Sequence, residues 1–532
     1  MKHQYRLLLA TVLLMGTLAG CHKKLDLFPT NEQTPEKVFS TPDGYRQAGA
    51  KMFASMAVTG SPGRDIPEAI VSDEGNTGFL RQYWYLQSLS TDEAGWTYSN
   101  NTDPIGIHQM TWSATNQAVA GLYYRCYYTV TLANNFIKES TDAKLAERGI
   151  SGADADDIRR FRAEARFLRA YNYWVLLDHF GNIAFTDESY AIGSGISPVQ
   201  ISRSSAFQYV ENELRSMENE LPAPRTAAYG RIDRGAAWAL LARMYLNAQV
   251  YTGTARWNDA VTYSRRVIDA GYTLVNDYKY LMLADNDLNT NEFIWTIRFD
   301  GLRTQSYSGT TFLVHGPSHN EPGRDQQFKD TTGSNGTWNC IRITEQFVNK
   351  FPAEDIRGQF WTAGQQKNMD TLLGNPRNGY SSVKFRNKTR SGAIGSDAGG
   401  TFADIDFPVF RLAEMYLIYA EATVRGGNGN SGDALNYLKA LAVRARPNDA
   451  NAANTAVLSL PYLIDERGRE LFWEGHRRTD LIRFGQFTTS GYLWAWKGGV
   501  RGGSAVDPKY NLYPIPALDV STNPNLVQNP GY

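Results

Sequence analysis

The sequence is poor in cysteine, which excludes two common kinds of stabilising site. Its 532 residues include three cysteines, Cys21, Cys126 and Cys340. Three cysteines cannot make a disulfide framework, and the chain has neither a CxxC pair nor the Cys/His spacing of a zinc site. We expect Cys126, inside the ring-rich run LYYRCYYTV, to pack as a small apolar residue. The alternative is a Cys126–Cys340 disulfide in an oxidising compartment.

The chain also has a formal net charge of zero and lacks several common catalytic sequence motifs. Lys+Arg and Asp+Glu both number 54, so the chain has no basic excess of the kind that nucleic-acid binding requires, and we expect no nucleic-acid partner. The chain contains no HExxH, GxSxG or P-loop motif. These patterns therefore give no support to a protease, an α/β-hydrolase or a nucleotide-hydrolysing enzyme.

The only long apolar run lies at the start of the chain, from Leu7 to about Leu18. It follows the basic residues Lys2 and Arg6, is too short to span a bilayer, and fits a secretory signal. The run ends in the letters LAGC, which resemble a bacterial lipobox with Cys21 as the lipidated residue. We therefore predict a lipoprotein signal peptide over 1–20 and a mature, lipid-anchored chain over 21–532; an ordinary signal peptide beside a chance cysteine is the alternative.

Helical periodicity dominates the rest of the chain. Between 157 and 181, apolar residues recur every three or four positions, and Gly181 supplies a stop signal. The stretches 233–253 with 256–274, and 410–427 with 431–446, predict two helix–loop–helix pairs of tetratricopeptide type. We therefore predict a mainly α fold: one helical-pair scaffold over 21–532, with large irregular loops at about 60–115, 300–405 and 488–532.

A charged segment over 463–487 predicts one further helix. Its charges lie three or four residues apart, which favours an internal ion-pair network over an anion-binding site. The arginines of this segment include Arg467, Arg469, Arg477 and Arg478, and its acidic residues are Asp465, Glu466, Glu470, Glu474 and Asp480.

Aromatic residues make up 12% of the chain, and several stand in polar loops. Trp96 and Tyr98 lie in DEAGWTYSNN, where buried anchors and an exposed platform are equally good interpretations. Tyr307 in QSYSG and Trp338 in GSNGTWN have flexible polar neighbours, which favours exposure. We expect a packing role for the remaining loop rings, which are Trp494 and Trp496.

Several motifs, taken in order, resemble the SusD/RagB family of surface glycan-binding lipoproteins. They are LDLFP after Cys21, AEARFLRAYNYW, GAAWALLARMYLNA, FRLAEMYLIYAEA, DERGRELFWEGHRRTDLIRFG and the closing YPIPALDVSTNPNLVQNPGY. The resemblance implies non-catalytic binding of starch-like α-glucan oligosaccharides on a helical scaffold. It also implies a place at the outer membrane, exposed at the cell surface, beside a SusC-like TonB-dependent transporter that receives the glycan.

The family's binding residues can be carried over to matching positions of this chain. The implied arc of rings is Trp96, Tyr98, Tyr307 and Trp338, and the implied polar contacts are Asp73, Arg81 and Asn101. A glucose ring offers a face of C–H groups to an aromatic ring, while Asp, Asn and Arg can hydrogen-bond its hydroxyls. Tyr98 departs from the pattern, because the family's founding member has tryptophan there, and a smaller ring gives less stacking area.

The family also implies a structural calcium ion and no catalytic cofactor. Carboxylate oxygens suit Ca²⁺, and the acidic run around Asp287 together with Asp404 and Asp406 gives a candidate site. A plain polar turn is the alternative for this run.

Two other functions stay open on the sequence. A glycoside hydrolase acting on α-glucans needs two carboxylates across the scissile bond, and Asp73 with Asp92 or Glu93 could supply them near the rings. A scaffold lipoprotein whose helical pairs bind another protein is the second alternative.

Overall fold

A computed structural model describes residues 35–60, 74–190, 195–318, 323–336, 338–375 and 377–532. The predicted signal peptide, Cys21 and Asp73 lie outside these ranges. Within them, no helix combines the length and the apolarity that crossing a membrane demands.

The predicted mainly α architecture is confirmed. The α-helices of the described residues are α1 (Pro35–Val38), α2 (Pro42–Ala57), α3 (Phe79–Trp84), α4 (Thr102–Gln109), α5 (Gln117–Glu139), α6 (Asp142–Glu147), α7 (Gly152–Phe180), α8 (Arg203–Ser216), α9 (Arg234–Leu246), α10 (Ala248–Thr252), α11 (Trp257–Ile268), α12 (Gly309–His315), α13 (Asp325–Thr332), α14 (Glu345–Val348), α15 (Leu412–Val424), α16 (Ser431–Ala445), α17 (Leu460–Glu470), α18 (Arg477–Arg483) and α19 (Ala517–Thr522). Shorter helical turns are the 3₁₀ segments Glu74–Asn76, Tyr278–Met282, Asn286–Leu288, Ala452–Thr455, Lys497–Gly499 and Pro508–Asn511 and the π-helical turn Tyr85–Leu89.

Strands are short and pair across long stretches of sequence. They are β1 (Gly95–Trp96), β2 (Ile183–Phe185), β3 (Val199–Ile201), β4 (Phe293–Ile297), β5 (Ile341–Arg342), β6 (Phe360–Trp361), β7 (Ser381–Ser382) and β8 (Phe407–Arg411). The antiparallel pairs are β1 with β5, β2 with β3, β4 with β8, and β6 with β7. These ribbons fasten loops to the helical scaffold.

Helix α7 runs through the centre of the molecule. Nearly every residue from Ala163 to Phe180 is buried, because the helix packs on α5, α8 and other elements rather than on one side only. Its end at Gly181, where φ is +71°, agrees with the predicted stop.

The two predicted helix pairs form one continuous stack. Helix α9 packs on α11, α11 packs on α15, and α15 packs on α16. The fully buried alanines Ala236, Ala237 and Ala242 allow α9 to come close to its neighbours. A stack of this kind matches the tetratricopeptide-type scaffold that the sequence predicts.

Several segments are built differently from the sequence-based expectation. The predicted loop at 60–115 contains α3, the π-helical turn and α4, the one at 300–405 contains α12, α13 and α14, and the one at 488–532 contains α19. The single helix predicted over 463–487 is two helices, α17 and α18. The break falls where Trp473 has φ +61° and Gly475 has φ +76°. A Cβ on Gly475 would lie 2.3 Å from the ring of Tyr83, so this turn requires glycine.

The predicted ion-pair network exists and is larger than the charged segment alone. Arg467 pairs with Asp480 at 2.8 Å and Arg469 with Glu466 at 2.8 Å. Arg477 and Arg478 reach outside the segment, to Asp92 at 2.8 Å and Asp178 at 3.1 Å. Lys350, Arg357, Lys384, Arg411 and Arg444 join the same acidic residues from other elements, and Arg483 of the segment itself pairs with Asp480.

Glu470 stands at the centre of this network. Arg411 and Arg357 contact its carboxylate at 2.6 and 3.0 Å, and Arg444 also pairs with it. Burial would raise the pKa of Glu470, but Arg444, Arg411 and Arg357 outweigh it and hold the pKa well below its ordinary value of 4.5. This carboxylate therefore stabilises the fold above pH 4.5, and the contribution is lost as the pH falls below that value.

Glu93 has the opposite electrostatic character. Burial, helped by the charge of the neighbouring Asp92, raises the pKa of this carboxyl to about 8. Its Oε1 accepts the Trp473 N–H at 3.3 Å, and its main-chain oxygen accepts the Trp473 indole N–H at 3.2 Å. The folded protein therefore holds Glu93 protonated at neutral pH, against the break between α17 and α18.

The cysteines and the two late tryptophans lie where the sequence places them. Cys126 and Cys340 are both free and buried, so the disulfide alternative is wrong and the packing role of Cys126 is confirmed. Trp494 is fully buried and Trp496 is partly buried against the packed residues Met369 and Leu372, which confirms their packing role.

The network gives a first prediction. Glu470→Gln leaves three buried arginines with an incomplete partner, so the free energy of unfolding should fall by about 3–5 kcal/mol. Chemical denaturation of the mature chain at pH 7 measures the change. The matched control is Asp269→Asn in the exposed Arg265–Asp269 pair, where the loss should be about 0–1 kcal/mol. Equal losses in the two variants would contradict the central role of Glu470.

Glu93 gives a second prediction. Because its folded pKa is raised, wild-type stability should fall as the pH rises from its ordinary 4.5 to about 8 and then level off. Glu93→Gln carries no titrating proton, so it should lack this part of the pH dependence. Denaturation midpoints of both proteins between pH 5 and 9 provide the comparison. Parallel pH profiles for the two proteins would show that Glu93 is not protonated in the fold.

Candidate ligand-binding site

Trp96 lies beneath the surface rather than on it. Strand β1 pairs Trp96 with Ile341, and only 2% of Trp96 is exposed. Its ring packs edge-on against Tyr85 with centroids 5.6 Å apart, and its indole N–H donates to the Tyr98 carbonyl at 2.9 Å. Of the two interpretations left open by the sequence, the structure supports the first: Trp96 is a buried anchor of its loop. Trp96 supports the loop from below and does not offer a face for stacking in this conformation.

Tyr98 is the exposed ring of the same loop, with 46% of the residue exposed. The preceding Thr97 donates its N–H to the Cys340 carbonyl at 2.9 Å and its hydroxyl to the Asn339 carbonyl at 3.1 Å. These bonds continue the β1–β5 pairing and place Tyr98 beside the loop that carries Trp338. The loops that carry Tyr98 and Trp338 are therefore adjacent, although the two residues are far apart in the sequence.

Asn101 caps the helix that follows it through its side-chain oxygen. Its side-chain oxygen accepts the Asp103 N–H at 3.3 Å and caps the start of α4. The residue is half-buried at the end of the Tyr98 loop, next to the exposed Asn100.

Tyr307 and Trp338 form the second part of the ring surface. Their ring centroids lie 6.2 Å apart with an angle of 63° between the ring planes, and both residues are partly exposed. Phe402 packs behind Tyr307 at 5.4 Å, and His315 stacks on Trp338 at 5.1 Å. We call Tyr98, Tyr307 and Trp338 the ring platform.

Arg81 lies below the platform and is almost buried, with 9% exposed. Its Nε donates to the Tyr85 hydroxyl at 2.9 Å, and Nη1 donates to the Tyr307 carbonyl at 3.5 Å. Its guanidinium lies 4.5 Å from the Phe312 ring centroid and 5.8 Å from that of Trp338. Such cation–π contacts hold the rings in place from behind.

Glu74 is a supporting residue that sequence reasoning missed. Its carboxylate accepts the Ser306 hydroxyl at 2.9 Å and the Tyr307 N–H at 3.1 Å, and it also bonds the Thr59 hydroxyl. The family resemblance implies the adjacent Asp73 as a polar contact instead, and Asp73 lies outside the described residues. No sequence spacing connects residue 74 with residue 307, so no pattern could have found this contact.

His315 is a second supporting residue that the sequence does not reveal. Burial lowers its pKa to about 4, so the imidazole is neutral at physiological pH. A neutral imidazole stacks on Trp338 without adding charge to the platform. The signal in the sequence is weak, because His315 is one of seven histidines scattered along the chain.

The predicted calcium ligands do not form a metal site. Asp404 accepts the Gly301 N–H at 2.6 Å and the Ser396 hydroxyl at 2.7 Å. Asp406 is buried, accepts the Phe299 N–H at 2.7 Å, and has its pKa raised by burial to about 7. Asp287 is exposed, and the described residues contain no group of three or more acidic, His or Cys side chains placed to hold an ion. Local hydrogen bonds explain these carboxylates, so the calcium prediction does not fit the structure.

The carboxylates considered for hydrolysis are also committed elsewhere. Asp92 is fully buried and accepts two bonds from Arg477, both at 2.8 Å, and one from the Tyr492 hydroxyl at 2.6 Å. Burial would raise the pKa of Asp92, but Arg477 outweighs it and the pKa is lowered. With Glu93 sealed against Trp473, neither residue can reach a sugar bond at the platform.

Comparisons with known proteins agree with this architecture. A family model described as the SusD family matches residues 352–532, and one described as starch-binding associating with outer membrane matches residues 69–246. The starch-binding protein SusD of Bacteroides thetaiotaomicron is 35% identical, over 100% of this chain and 99% of its own.

Solved structures show the same fold at lower identity. A SusD homolog from B. thetaiotaomicron has a TM-score of 0.73 at 20% identity, covering 94% of this chain and 99% of its own. Surface glycan-binding protein A of the same organism, solved in complex with laminarihexaose, has a TM-score of 0.69 at 19% identity, covering 92% and 99%.

The relatives named here are described as binding proteins. The helical-pair scaffold, the two family-model matches and the full-length similarity lead to one assignment: the chain belongs to the SusD family.

Proposed function

We propose that the protein binds starch-like α-glucan oligosaccharides without cleaving them. The observation that carries this proposal is the ring platform, in which Tyr98, Tyr307 and Trp338 are partly exposed while Arg81 supports Tyr307 and Trp338 from below. The likeness to the starch-binding protein SusD supports the ligand class.

The angle between the platform rings favours a bent glycan. Planes inclined by 63° cannot both lie against one flat sugar unit, but they can stack on successive units of a chain that curves. An α-1,4-linked glucan curves, whereas a β-1,4-linked glucan extends. Stacking covers the C–H face of each unit and leaves its hydroxyls at the ring edges.

Polar contacts complete the proposed site. Asp73, Arg81 and Asn101 would hydrogen-bond the glucan hydroxyls, as the family resemblance implies. Arg81 has five N–H donors in a fixed fork, and it contacts the Tyr85 hydroxyl and the Tyr307 carbonyl directly behind the rings. The anchor Trp96 contributes by fixing the Tyr98 loop rather than by stacking.

The proposed place of action is the outer membrane. Lipidation of Cys21 would tether the mature chain there, exposed at the cell surface. From this position it would deliver the glucan to a SusC-like TonB-dependent transporter. The family-model description of association with the outer membrane and the LAGC pattern support the location.

A third prediction tests the platform directly. Trp338→Ala removes one stacking face and should weaken maltoheptaose binding at least about tenfold, which corresponds to about 1.4 kcal/mol. Isothermal titration calorimetry of the mature protein measures it. The matched control is Trp257→Ala, which removes a partly buried ring at the start of α11 and should leave the affinity within about twofold.

Two further outcomes are informative. Cellohexaose should bind far more weakly than maltoheptaose if the inclined rings select a curved chain. Equal maltoheptaose affinities for Trp338→Ala and wild type would refute the platform, and release of reducing sugar would refute the non-catalytic assignment.

A fourth prediction concerns Glu74, which fixes the backbone of Tyr307. Glu74→Gln keeps the shape but replaces a charged acceptor, and bonds to charged groups are worth about 1.5–3 kcal/mol. We expect the platform to loosen and the affinity for maltoheptaose to fall. The control is Glu345→Gln, at a partly exposed residue in α14. An unchanged affinity in Glu74→Gln would mean that Tyr307 is held without it.

A further inference from the structure

A second concave surface lies away from the ring platform. A cavity of about 950 Å³ opens between α5 and the C-terminal segment that contains α19. Its described lining includes none of the platform residues or their supports. The family resemblance and the proposed function leave this cavity without a role.

One face of α5 lines the cavity with aromatic and polar side chains that could contact a ligand. Tyr124, Tyr127, Thr131, Asn135 and Lys138 all line the cavity. Their spacing of three, four, four and three residues puts them on one side of the helix. At 1.5 Å per residue this stripe is about 21 Å long, so it can follow an extended ligand.

The two rings are fixed, whereas the polar groups are not engaged. Tyr124 donates its hydroxyl to Asp519 at 2.5 Å, and Tyr127 donates to the Ala184 carbonyl at 2.7 Å. Both rings are partly exposed. The side chains of Thr131, Asn135 and Lys138 make no hydrogen bond within the described part of the chain.

The charge of the cavity restricts the class of ligand. Lys138 is its one basic residue among the described lining, against five acidic residues: Glu36, Glu139, Asp187, Glu188 and Asp519. Glu139 pairs with Lys144 and Arg148, and Glu188 pairs with Arg169, so the charges around the cavity are nearly balanced and give a charged ligand little net attraction. An acyl chain would leave the hydroxyl, amide and ammonium groups without partners. A neutral, hydroxyl-rich chain can stack on the tyrosines and bond all three groups.

We infer that the α5 stripe is a second site for a neutral oligosaccharide, independent of the ring platform. The inference rests on the cavity and does not require that Trp338 binds sugar. Two sites on one chain would hold a long glycan more tightly than either alone, because the second contact forms at high effective concentration.

The test uses Trp338→Ala protein, so that the platform does not mask the second site. Maltoheptaose and laminarihexaose serve as probes in isothermal titration. This protein should retain weaker binding of at least one probe. Adding Asn135→Ala and Lys138→Ala should lower that residual affinity at least about tenfold. Neither side chain makes a hydrogen bond to the described residues, so the fold should survive, which the melting temperature checks.

The matched control adds Asn436→Ala and Lys439→Ala, a pair at the same three-residue spacing on α16 that also lacks hydrogen bonds within the described part of the chain. This control should keep the residual affinity within about twofold. The inference is overturned if Trp338→Ala protein binds neither probe, or if the α5 and α16 variants bind alike. The two proposals can also be told apart. If wild type and Trp338→Ala protein bind with equal affinity and only the α5 variant loses binding, the second site is supported and the ring platform is refuted.

Discussion

The fold depends on a buried ion-pair network centred on Glu470 and Arg411. Arg411 ends β8, Glu470 ends α17 and Arg444 comes from α16, while Glu292 precedes β4 and completes the set at 3.0 Å from Arg411. Charges this deeply buried are stable only when every partner is present. The network therefore fixes the relative positions of several elements at once.

That constraint reaches the proposed binding surface through a chain of contacts. Beyond Glu470 the backbone leaves the helix, and the ring of Trp473 packs 5.1 Å from Trp84 while its N–H groups bond Glu93. Glu93 lies two residues before β1, and the pairing of β1 with β5 places the Tyr98 loop beside the loop that carries Trp338. The ring platform is thus held by the scaffold before any ligand arrives, which lowers the entropic cost of binding.

Local patterns in the sequence were sufficient for the scaffold but not for the site. Apolar spacing predicts α7 and both helix pairs, because helix periodicity is a local property. It does not reveal the turn at Trp473, where a residue other than glycine takes a positive φ because of packing. The burial of Trp96 depends on pairing with Ile341, and the support of Tyr307 depends on Glu74; both are contacts between distant segments. The carboxylates Asp404 and Asp406 suggested calcium because composition cannot show that N–H and hydroxyl groups already occupy them.

The most direct test of the account is a crystal structure of the mature protein with maltoheptaose. The account predicts an intact, curved oligosaccharide whose glucose units lie against Tyr307 and Trp338, with Tyr98 at one end and Trp96 still buried. A sugar bound only elsewhere on the surface, or a cleaved product at the rings, would contradict it.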